Sequence, residues 1–435
     1  MNYLDKEELT RVGPGSLMGN FMRQYWIPCL KSSELISDAP PTRFKLFGEK
    51  LIAFRDSHSH VGIFNHECPH RCTSLFLGRN EKGGLRCIYH GWKFDVNGNC
   101  LDMPNVLPNP KVQSKIKAKA YKVLERNGVV WVYLGNAITP PKLPEIEATL
   151  LPESDLVVDF ILRKCNWLQA IDGEIDTSHV AFLHWGCLDS GDIPTDHPLD
   201  YIKDAIPEYH VSEADWGTHY SAYRYINEKK EIYWRSANYL YPFWTQTPQG
   251  EFASNINARA WVPLDDENTM FIYFRWTKRP NYQIPLKSGN SPSGNKPMPE
   301  FIENSTDWLG RWRLKASEDN DWMIDRQAQS LGLIFSGIDN IHLQDQAVTE
   351  SMGGIANQMN EHLVSADLMI VKTRRAILKA ARNFRDLGKT PPGLENPYVF
   401  MGARSGYFIT PNTTKWEEAY KEQVQAAIRP KLNHN

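Results

Sequence analysis

The segment CPHRCTSLFLGRNEKGGLRCIYHGWKF, residues 68–94, limits the possible folds of this chain more than any other part of the sequence. It contains Cys68-x-His70 and, after sixteen residues, Cys87-x2-His90. Gly83-Gly84 and Gly91 supply the tight backbone that a loop around a metal needs. The pattern therefore predicts two β-hairpins whose tips each carry one Cys–His pair.

The donor atoms of this segment fit two kinds of metal centre. Two thiolates and two imidazoles can bind tetrahedral zinc, or they can hold a [2Fe–2S] cluster with two cysteines on one iron and two histidines on the other. Each half here has one Cys and one His, whereas structural zinc sites usually close with pairs of the same kind. Tyr89 and Trp92 flank the second pair, as expected for a redox centre shielded from water. Both features favour the cluster.

Composition and charge exclude several other classes of function. Lys and Arg number 49 against 51 Asp and Glu, so no strong net charge indicates nucleic acid or a membrane surface as the main partner. The N-terminal segment MNYLDKEELTRVGPG has acids where a secretory signal needs a basic start and an apolar run. No window approaches the roughly 18–20 uninterrupted apolar residues of a spanning helix. We therefore expect a soluble, cytoplasmic protein.

The cysteine count agrees with that location. Seven cysteines stand at positions 29, 68, 72, 87, 100, 165 and 187. An odd, scattered set in a chain without a leader does not predict a disulfide framework. Three of them lie within residues 68–94, which favours metal chemistry there.

Secondary-structure signals divide the chain into three parts. Residues 41–137, here called the β region, show short alternating strands and the hairpin dipeptides Asn97-Gly98 and Asn127-Gly128. Residues 1–40 form an N-terminal segment expected to pack on the last part. Residues 138–435, here called the mixed region, follow a Pro-rich link and predict long antiparallel hairpins and a helix that is stopped at Gly388. The expected class is α+β.

A second motif, DGEIDTSHVAFLH, lies in the mixed region and has the form D-x2-H-x4-H. Asp176 and His179 would share one face of a helix at positions i and i+3. His184 would be rotated about 140° from His179 on a straight helix. The two imidazoles can converge only if the helix ends or bulges between them, a distortion that is common at functional sites. Two histidines suggest a non-haem iron that still lacks a carboxylate ligand.

Together these motifs resemble a known family. The segments CPHR and CIYHGWKF resemble the Rieske domain of bacterial ring-hydroxylating oxygenases. The segments LTRVGPGSLMGNFMRQYWIP, TSLFLGRN, NWLQAIDGEIDTSH and DQAVTESMGGI resemble its phthalate dioxygenase branch. The resemblance covers nearly the whole chain. It implies an all-β Rieske domain joined to a catalytic domain of helix-grip type, with an antiparallel sheet and helices.

The resemblance also assigns the metal ligands. Cys68, His70, Cys87 and His90 would hold the [2Fe–2S] cluster. His179 and His184 would bind a mononuclear Fe(II). The third iron ligand would be Asp345, because IHLQDQAVTESMG fits the family pattern D-x2-V-x-E.

Three neighbouring residues need a separate interpretation. Asp339 and Glu350 are the nearest alternatives to Asp345 as the third iron ligand. Cys72 departs from the small residue usual in the family after the first pair. We interpret it as a small buried residue, with metal ligation as a minor alternative.

The family relationship further implies partners and an assembly. Dioxygen would be the co-substrate, and electrons from NAD(P)H would come from a separate reductase that carries flavin and an iron–sulfur centre. The chain would form a homotrimer without a β subunit, in which electrons pass between neighbouring subunits. Asp176 would bridge His90 of one subunit and His179 of the next, with Asp172 as a second member of the acidic shell.

The substrate is expected to be a small aromatic molecule, an aromatic carboxylate or an aryl ether, that is hydroxylated, cis-dihydroxylated or O-dealkylated. Arg224 and Arg235 are candidates for binding a carboxylate, since a guanidinium can do so bidentately. An aromatic set could line a flat pocket or form sheet core: Tyr233, Trp234, Tyr239, Tyr241, Phe243 and Trp244. Two alternatives remain at this point. One is an electron carrier with an inactive second site, and the other is a zinc-stabilised binding protein.

Overall fold

The computed structural model describes residues 3–184, 206–278 and 299–434. Cys187 lies outside these ranges. Within them, no helix combines the length and apolar character needed to cross a bilayer.

The predicted all-β structure of the β region consists of two antiparallel sheets. The larger sheet has the order β1-β10-β9-β4-β3-β2 and the smaller one the order β5-β6-β7-β8. Their strands are β1 Trp26–Lys31, β2 Thr42–Leu46, β3 Glu49–Arg55, β4 Val61–Asn65, β5 Arg79–Glu81, β6 Gly84–Arg86, β7 Lys93–Phe94, β8 Cys100–Asp102, β9 Ala120–Arg126 and β10 Val129–Tyr133. The turn between β9 and β10 has positive φ at both Asn127 (52°) and Gly128 (75°), which confirms the hairpin predicted from this dipeptide.

The N-terminal segment contributes to both regions. Helices α1 Tyr3–Thr10 and α2 Leu17–Met22 pack against the last long helix of the mixed region, where Arg382 pairs with Asp5 at 2.6 Å. Strand β1 also belongs to this segment by position, but it pairs with β10 in the larger sheet of the β region.

The mixed region is built on an eight-stranded antiparallel sheet. Its order is β11-β17-β16-β15-β14-β13-β12, with β18 paired to β14. The strands are β11 Leu156–Arg163, β12 Glu208–Ala214, β13 Gly217–Ile226, β14 Glu231–Leu240, β15 Trp244–Gln246, β16 Asn257–Pro263, β17 Thr269–Trp276 and β18 Gly406–Pro411. The two hairpins predicted from the sequence are the β13–β14 and β16–β17 pairs.

Helices pack on both faces of this sheet. The remaining described helices are α3 Pro110–Gln113, α4 Trp167–Ile175, α5 Arg326–Ser330, α6 Ile341–Ser351, α7 Leu368–Leu387 and α8 Trp416–Ala426. Helix α7 ends at Gly388 in the left-handed conformation (φ 62°), as predicted. It lies on β12 and β13, where Thr373 and Thr218 share a hydrogen bond of 2.7 Å. A long helix held by an antiparallel sheet is the expected helix-grip arrangement, so the α+β class is confirmed.

The two regions share one hydrophobic core. Trp131 of β10 stacks on Trp244 of β15 with 5.8 Å between ring centroids. The turn after β2 also docks on the turn after β16, where the Gly48 N–H donates to the Leu264 carbonyl at 2.8 Å. A second, smaller core lies under the two predicted metal-binding loops and contains Cys68, Leu75, Leu85, Cys87, Trp92 and Phe94.

Candidate metal centres

The two Cys–His pairs of the β region lie on loops with the same backbone hydrogen bonds. In the first loop the Cys72 N–H donates to the Cys68 carbonyl at 2.9 Å, and the Cys68 N–H donates to the Thr73 carbonyl at 2.8 Å. In the second loop the Gly91 N–H donates to the Cys87 carbonyl at 3.0 Å, and the Cys87 N–H donates to the Trp92 carbonyl at 2.8 Å. The two loops therefore hold their cysteines in equivalent positions, whereas His70 comes two residues after its cysteine and His90 comes three residues after its own.

This equivalence corrects the prediction for Cys72. The side chain is exposed, not buried, and the residue has a φ of 56°. Its counterpart in the second loop is Gly91, with a φ of 77°. A Cβ at Gly91 would also lie 2.6 Å from Pro104 Cγ, so that loop requires glycine. Cys72 thus occupies a turn position that favours glycine.

The four donors face one another in an arrangement that fits a two-iron cluster. The ring centroids of His70 and His90 lie 4.5 Å apart, and the His70 ring stacks on Trp92 with 4.2 Å between centroids. Cys68 and Cys87 are both buried, and burial raises the pKa of the Cys68 thiol to about 11. Nδ1 of His90 is buried without a hydrogen-bond partner, as expected of a nitrogen that ligates a metal.

The spacing of these donor atoms also distinguishes a zinc site from an iron–sulfur cluster. Within the described residues, the four side chains do not form a group that converges on a single ion. A tetrahedral zinc requires such convergence, whereas a cluster with two irons spreads its ligands over two metals. The geometry favours the cluster.

In the mixed region the helix ends before His179, earlier than the predicted break between the two histidines, so Asp176 and His179 do not share a helical face. Helix α4 stops at Ile175, Asp176 forms its C-cap, and a separate 3-10 turn spans Ser178–Ala181. His184 follows this turn. The Nε2 atoms of His179 and His184 consequently lie 3.1 Å apart.

Asp345 joins the two histidines from helix α6. Its Oδ1 lies 3.4 Å from His184 Nε2 and 3.8 Å from His179 Nε2. The donor atoms of the three residues all lie within 4.8 Å of one another. Two imidazoles and one carboxylate form the donor set of a non-haem iron site with open positions, so these residues fit the metal.

The alternative carboxylates have different surroundings. Glu350 accepts hydrogen bonds from the backbone N–H of Lys164 and from Trp322 Nε1, both at 2.8 Å, and its role is structural. Asp339 is not part of the three-residue donor group.

Charge is distributed unevenly over this group. Burial raises the pKa of Asp345, but His184, His179 and Arg163 outweigh this effect and hold it below its ordinary value. Burial lowers the pKa of His184. For His179, hydrogen bonding to Asp176 and the charge of Asp345 outweigh burial, so its pKa is raised. Asp345 is therefore an anion that can balance the charge of a bound cation.

The two acids of helix α4 have separate partners. Asp176 Oδ2 lies 3.5 Å from His179 Nδ1, while its Oδ1 accepts from the backbone N–H and the hydroxyl of Ser178 at 2.7 Å each. Asp172 instead pairs with buried Arg374, whose Nε lies 3.1 Å from Oδ2. The expectation that Asp172 belongs to the same acidic shell as Asp176 is therefore wrong.

Strand alternation separates the predicted arginines and aromatic residues. Paired residues of antiparallel strands point to the same face, and Arg224 pairs with Tyr233 while Arg235 pairs with Ala222. Arg235 Nε donates to Thr177 Oγ1 at 3.3 Å, so this face is the one next to Asp176. Trp234 points to the opposite face, where it packs with Phe408 and Trp416.

The other aromatic residues of the predicted set belong to the core. Tyr239, Tyr241, Phe243 and Trp244 are buried members of the main hydrophobic cluster. Tyr239 donates to the Pro242 carbonyl at 2.7 Å. By strand alternation Tyr233 and Tyr239 lie on the face shared with the two arginines, and Trp234 lies on the other.

Two features near the site were missed by sequence reasoning. Gln344 lies 2.7 Å from Nδ1 of His184 through its Oε1. Glu174 pairs with Arg259 of β16, and both side chains are buried. Gln344 could have been found because it is a polar residue directly before the proposed ligand Asp345. The ion pair between Glu174 and Arg259 could not, because Arg259 lies on a strand distant in sequence.

Comparisons with known proteins agree with this two-site arrangement. The model of the Rieske [2Fe-2S] domain matches residues 25–122, and the model described as LigXa C-terminal domain like matches residues 132–435. The chain is 48% identical to the 3-chlorobenzoate-3,4-dioxygenase oxygenase subunit of Comamonas testosteroni, over 98% of this chain and 99% of the relative. It is 32% identical to the phthalate 4,5-dioxygenase oxygenase subunit of Pseudomonas putida, over 87% and 85%.

The fold is also found in solved structures. Dicamba monooxygenase bound to dicamba superimposes with a TM-score of 0.55 at 16% identity, covering 85% of this chain and 100% of that one. These matches and the geometry above have one explanation. The chain belongs to the Rieske non-haem iron oxygenases, as an oxygenase subunit that uses a [2Fe–2S] cluster, mononuclear iron and dioxygen with electrons from a separate reductase.

Proposed function

We propose that Cys68, His70, Cys87 and His90 hold the cluster and that three residues of the mixed region hold the mononuclear iron. These three are His179, His184 and Asp345. The observation that carries the proposal is the convergence of their donor atoms within 4.8 Å of one another. Helix α6 brings Asp345 to the two histidines from a distant part of the sequence.

When bound, the cluster supplies single electrons, and the iron offers open positions for dioxygen beside the substrate. The chain's own residues set the geometry of this chemistry. Asp176 is placed to accept a hydrogen bond from the protonated Nδ1 of His179, so that Nε2 of this imidazole is left to bind the metal. Asp345 adds a negative charge that is retained because its pKa is lowered by the two histidines and Arg163 despite burial.

The substrate that we propose is an aromatic carboxylate. Both relatives described above are named for such compounds, chlorobenzoate and phthalate. The sheet face beside Asp176 carries Arg224 and Arg235, which can bind a carboxylate. An aryl ether is the alternative substrate. The same site supports hydroxylation, cis-dihydroxylation or O-dealkylation, depending on which bond of the substrate faces the oxidant.

We further propose a homotrimer without a β subunit, in which electrons cross between subunits through Asp176. Apolar side chains are exposed at both ends of such a contact. Ile88 and Tyr89 at the cluster tip are more than half exposed, as are Phe182 and Phe335 beside the iron site. Burial of these surfaces between neighbouring subunits would stabilise the assembly. We also place the protein in the cytoplasm, where thiols stay reduced, because the six described cysteines are free.

Iron and sulfide analysis tests the two-site assignment. After anaerobic purification, we expect three irons and two sulfides per chain, with a red-brown colour that bleaches on addition of dithionite. Two irons per chain that do not rise to three on addition of ferrous iron would leave an electron carrier with an inactive second site. A colourless zinc protein would refute the cluster as well.

Electron transfer between subunits can be tested with mixed oligomers. One chain carries Cys87→Ala, which removes the cluster, and the other carries His179→Ala, which removes the iron. Each variant alone should be inactive, and co-expression should restore activity only if electrons cross between subunits. Sedimentation of the wild-type protein would give the number of subunits independently.

A further inference from the structure

Gln344 connects the iron-site histidine His184 to a surface loop. Its Oε1 lies 2.7 Å from His184 Nδ1, and its Nε2 lies 2.8 Å from Ser336 Oγ and 2.7 Å from the Ile338 carbonyl. The side chain is fully buried. Both ends of the amide are therefore used, one by the histidine and one by the loop.

The hydrogen bonds fix the orientation of this amide. A backbone carbonyl can only accept a hydrogen bond, so the group that faces Ile338 must be the NH2 of Gln344. The oxygen then faces His184 and can only accept. Nδ1 of His184 must consequently carry the proton, which leaves the lone pair on Nε2. This is the nitrogen that lies 3.4 Å from Asp345 Oδ1 and 3.1 Å from His179 Nε2.

His179 and His184 thus both present Nε2 to the metal position, but different groups contact their Nδ1 atoms. His179 has a carboxylate at Nδ1, from Asp176 at 3.5 Å. His184 has a neutral amide at 2.7 Å. A neutral acceptor fixes the tautomer without adding a second negative charge beside Asp345.

The other end of Gln344 reaches a loop that faces solvent. The loop of residues 331–338 forms most of the connection between helix α5 and helix α6, and its Leu331, Leu333 and Phe335 are each more than half exposed. Phe335 contacts Phe182, two residues before His184, at 5.7 Å between ring centroids. The loop is therefore connected to His184 by the amide of Gln344 and by the contact between Phe335 and Phe182.

We propose that Gln344 is a positioning residue that holds His184 as the Nδ1-protonated tautomer and ties this ligand to the loop of residues 331–338. This inference rests on the proposed iron site. Displacement of the loop, for example by a neighbouring subunit that covers its apolar side chains, would change the orientation of the imidazole through Ser336 and Ile338. Metal affinity at the site would then respond to contacts made on the surface.

The test compares two glutamine substitutions on the same helix. Gln344→Met keeps the size of the side chain but removes both ends of the connection. Gln346→Met is the matched control, because Gln346 is also buried on α6 but donates to the Ala316 carbonyl and to Glu350. Ferrous iron is removed from each protein, and its rebinding is measured by anaerobic equilibrium dialysis while the cluster absorbance is followed. The thermal unfolding temperature of each variant is recorded.

We expect Gln344→Met to bind ferrous iron about 10- to 100-fold more weakly than the wild type, the usual effect of losing a group that orients a ligand. Gln346→Met should keep the wild-type affinity even if it unfolds at a lower temperature. The electron paramagnetic resonance spectrum of the ferrous site with added nitric oxide should change in Gln344→Met and not in the control.

A double variant tests the connection to the loop. Ser336→Ala should weaken iron binding by a smaller factor than Gln344→Met, and the two changes together should be no worse than Gln344→Met alone, because they act through one connection. Equal iron affinity and an unchanged spectrum in Gln344→Met would refute the positioning role. If the wild type itself rebinds no iron at this site, the proposed iron site is wrong instead.

Discussion

Asp176 and His179 contact each other across the end of a helix. Asp176 caps α4, His179 belongs to the following 3-10 turn, and Asp176 Oδ2 lies 3.5 Å from His179 Nδ1. The carboxylate is about one-fifth exposed, and its other oxygen, Oδ1, accepts from Ser178. The bridge between two subunits that we propose would use this exposed part of the side chain.

The first prediction concerns this bridge. Asp176→Asn should retain the cluster and the mononuclear iron, because neither set of proposed ligands is changed. Turnover supported by the reductase should fall by at least about 10- to 100-fold, since the substitution removes the charge that orients His179. Metal content and coupled product formation measure the two effects separately. Normal turnover with both metals present would show that the bridge assignment is wrong.

Asp172→Asn provides the contrasting case on the same helix. Asp172 pairs with buried Arg374, which among the described residues would retain only Glu361 as an acidic partner. We expect a loss of up to about 3–5 kcal/mol in the free energy of unfolding, as for other broken buried pairs. The folded fraction should keep its activity per bound iron. A selective loss of activity without loss of stability would instead place Asp172 with Asp176.

The turn position of Cys72 leads to a stabilising substitution. Cys72 has a φ of 56° and corresponds to Gly91 of the second loop. Cys72→Gly should raise the stability by about 1 kcal/mol, since glycine adopts this conformation without the steric cost of a Cβ. Iron, sulfide and the visible spectrum should remain those of the wild type. Loss of the cluster in this variant would mean that Cys72 is a ligand.

The two arginines next to the site predict an effect on substrate affinity. Arg224→Gln and Arg235→Gln should each lower kcat/KM for an aromatic carboxylate by about 10- to 100-fold, corresponding to one charged hydrogen bond. The loss should appear mainly as a higher KM. A neutral aromatic of similar shape serves as the control and should be affected little. Equal losses for both compounds would indicate a structural role for the arginines.

A pH dependence of stability is predicted for Glu49. Burial raises its pKa, but hydrogen bonds from Arg23 at 2.8 Å and from Tyr121 at 2.9 Å outweigh this effect and lower it below the ordinary value. A carboxylate whose pKa is lower in the folded state stabilises the protein above the unfolded pKa and loses this contribution as the pH falls through the folded pKa.

Glu49→Gln should therefore lower the unfolding temperature most at about pH 6–7, above the ordinary Glu pKa of about 4.3. The difference from the wild type should shrink below about pH 4. Thermal unfolding of both proteins across this range tests the prediction, and a difference that does not change with pH would contradict it.

Much of the fold and of the candidate site follows from local sequence. The Asn127-Gly128 turn, the end of α7 at Gly388 and the two Cys–His loops depend on residues close together in the chain, and their conformations are set by backbone sterics. The spacing of His179 and His184 also showed that no straight helix could run through both histidines, although the helix ends earlier, at Ile175. It could not reveal that Asp176 itself would be the cap.

Only the tertiary structure decided which distant groups meet. His184 and Gln344 are 160 residues apart in sequence, and their contact exists because α6 packs beside α4. The partner of Asp172 and the exposure of Cys72 were misjudged for this reason, since burial depends on neighbours that no local pattern specifies. The sequence by itself determined the kinds of donor and their loops, whereas packing decided which of them share a site, because a metal centre needs atoms within a few ångströms regardless of their distance along the chain.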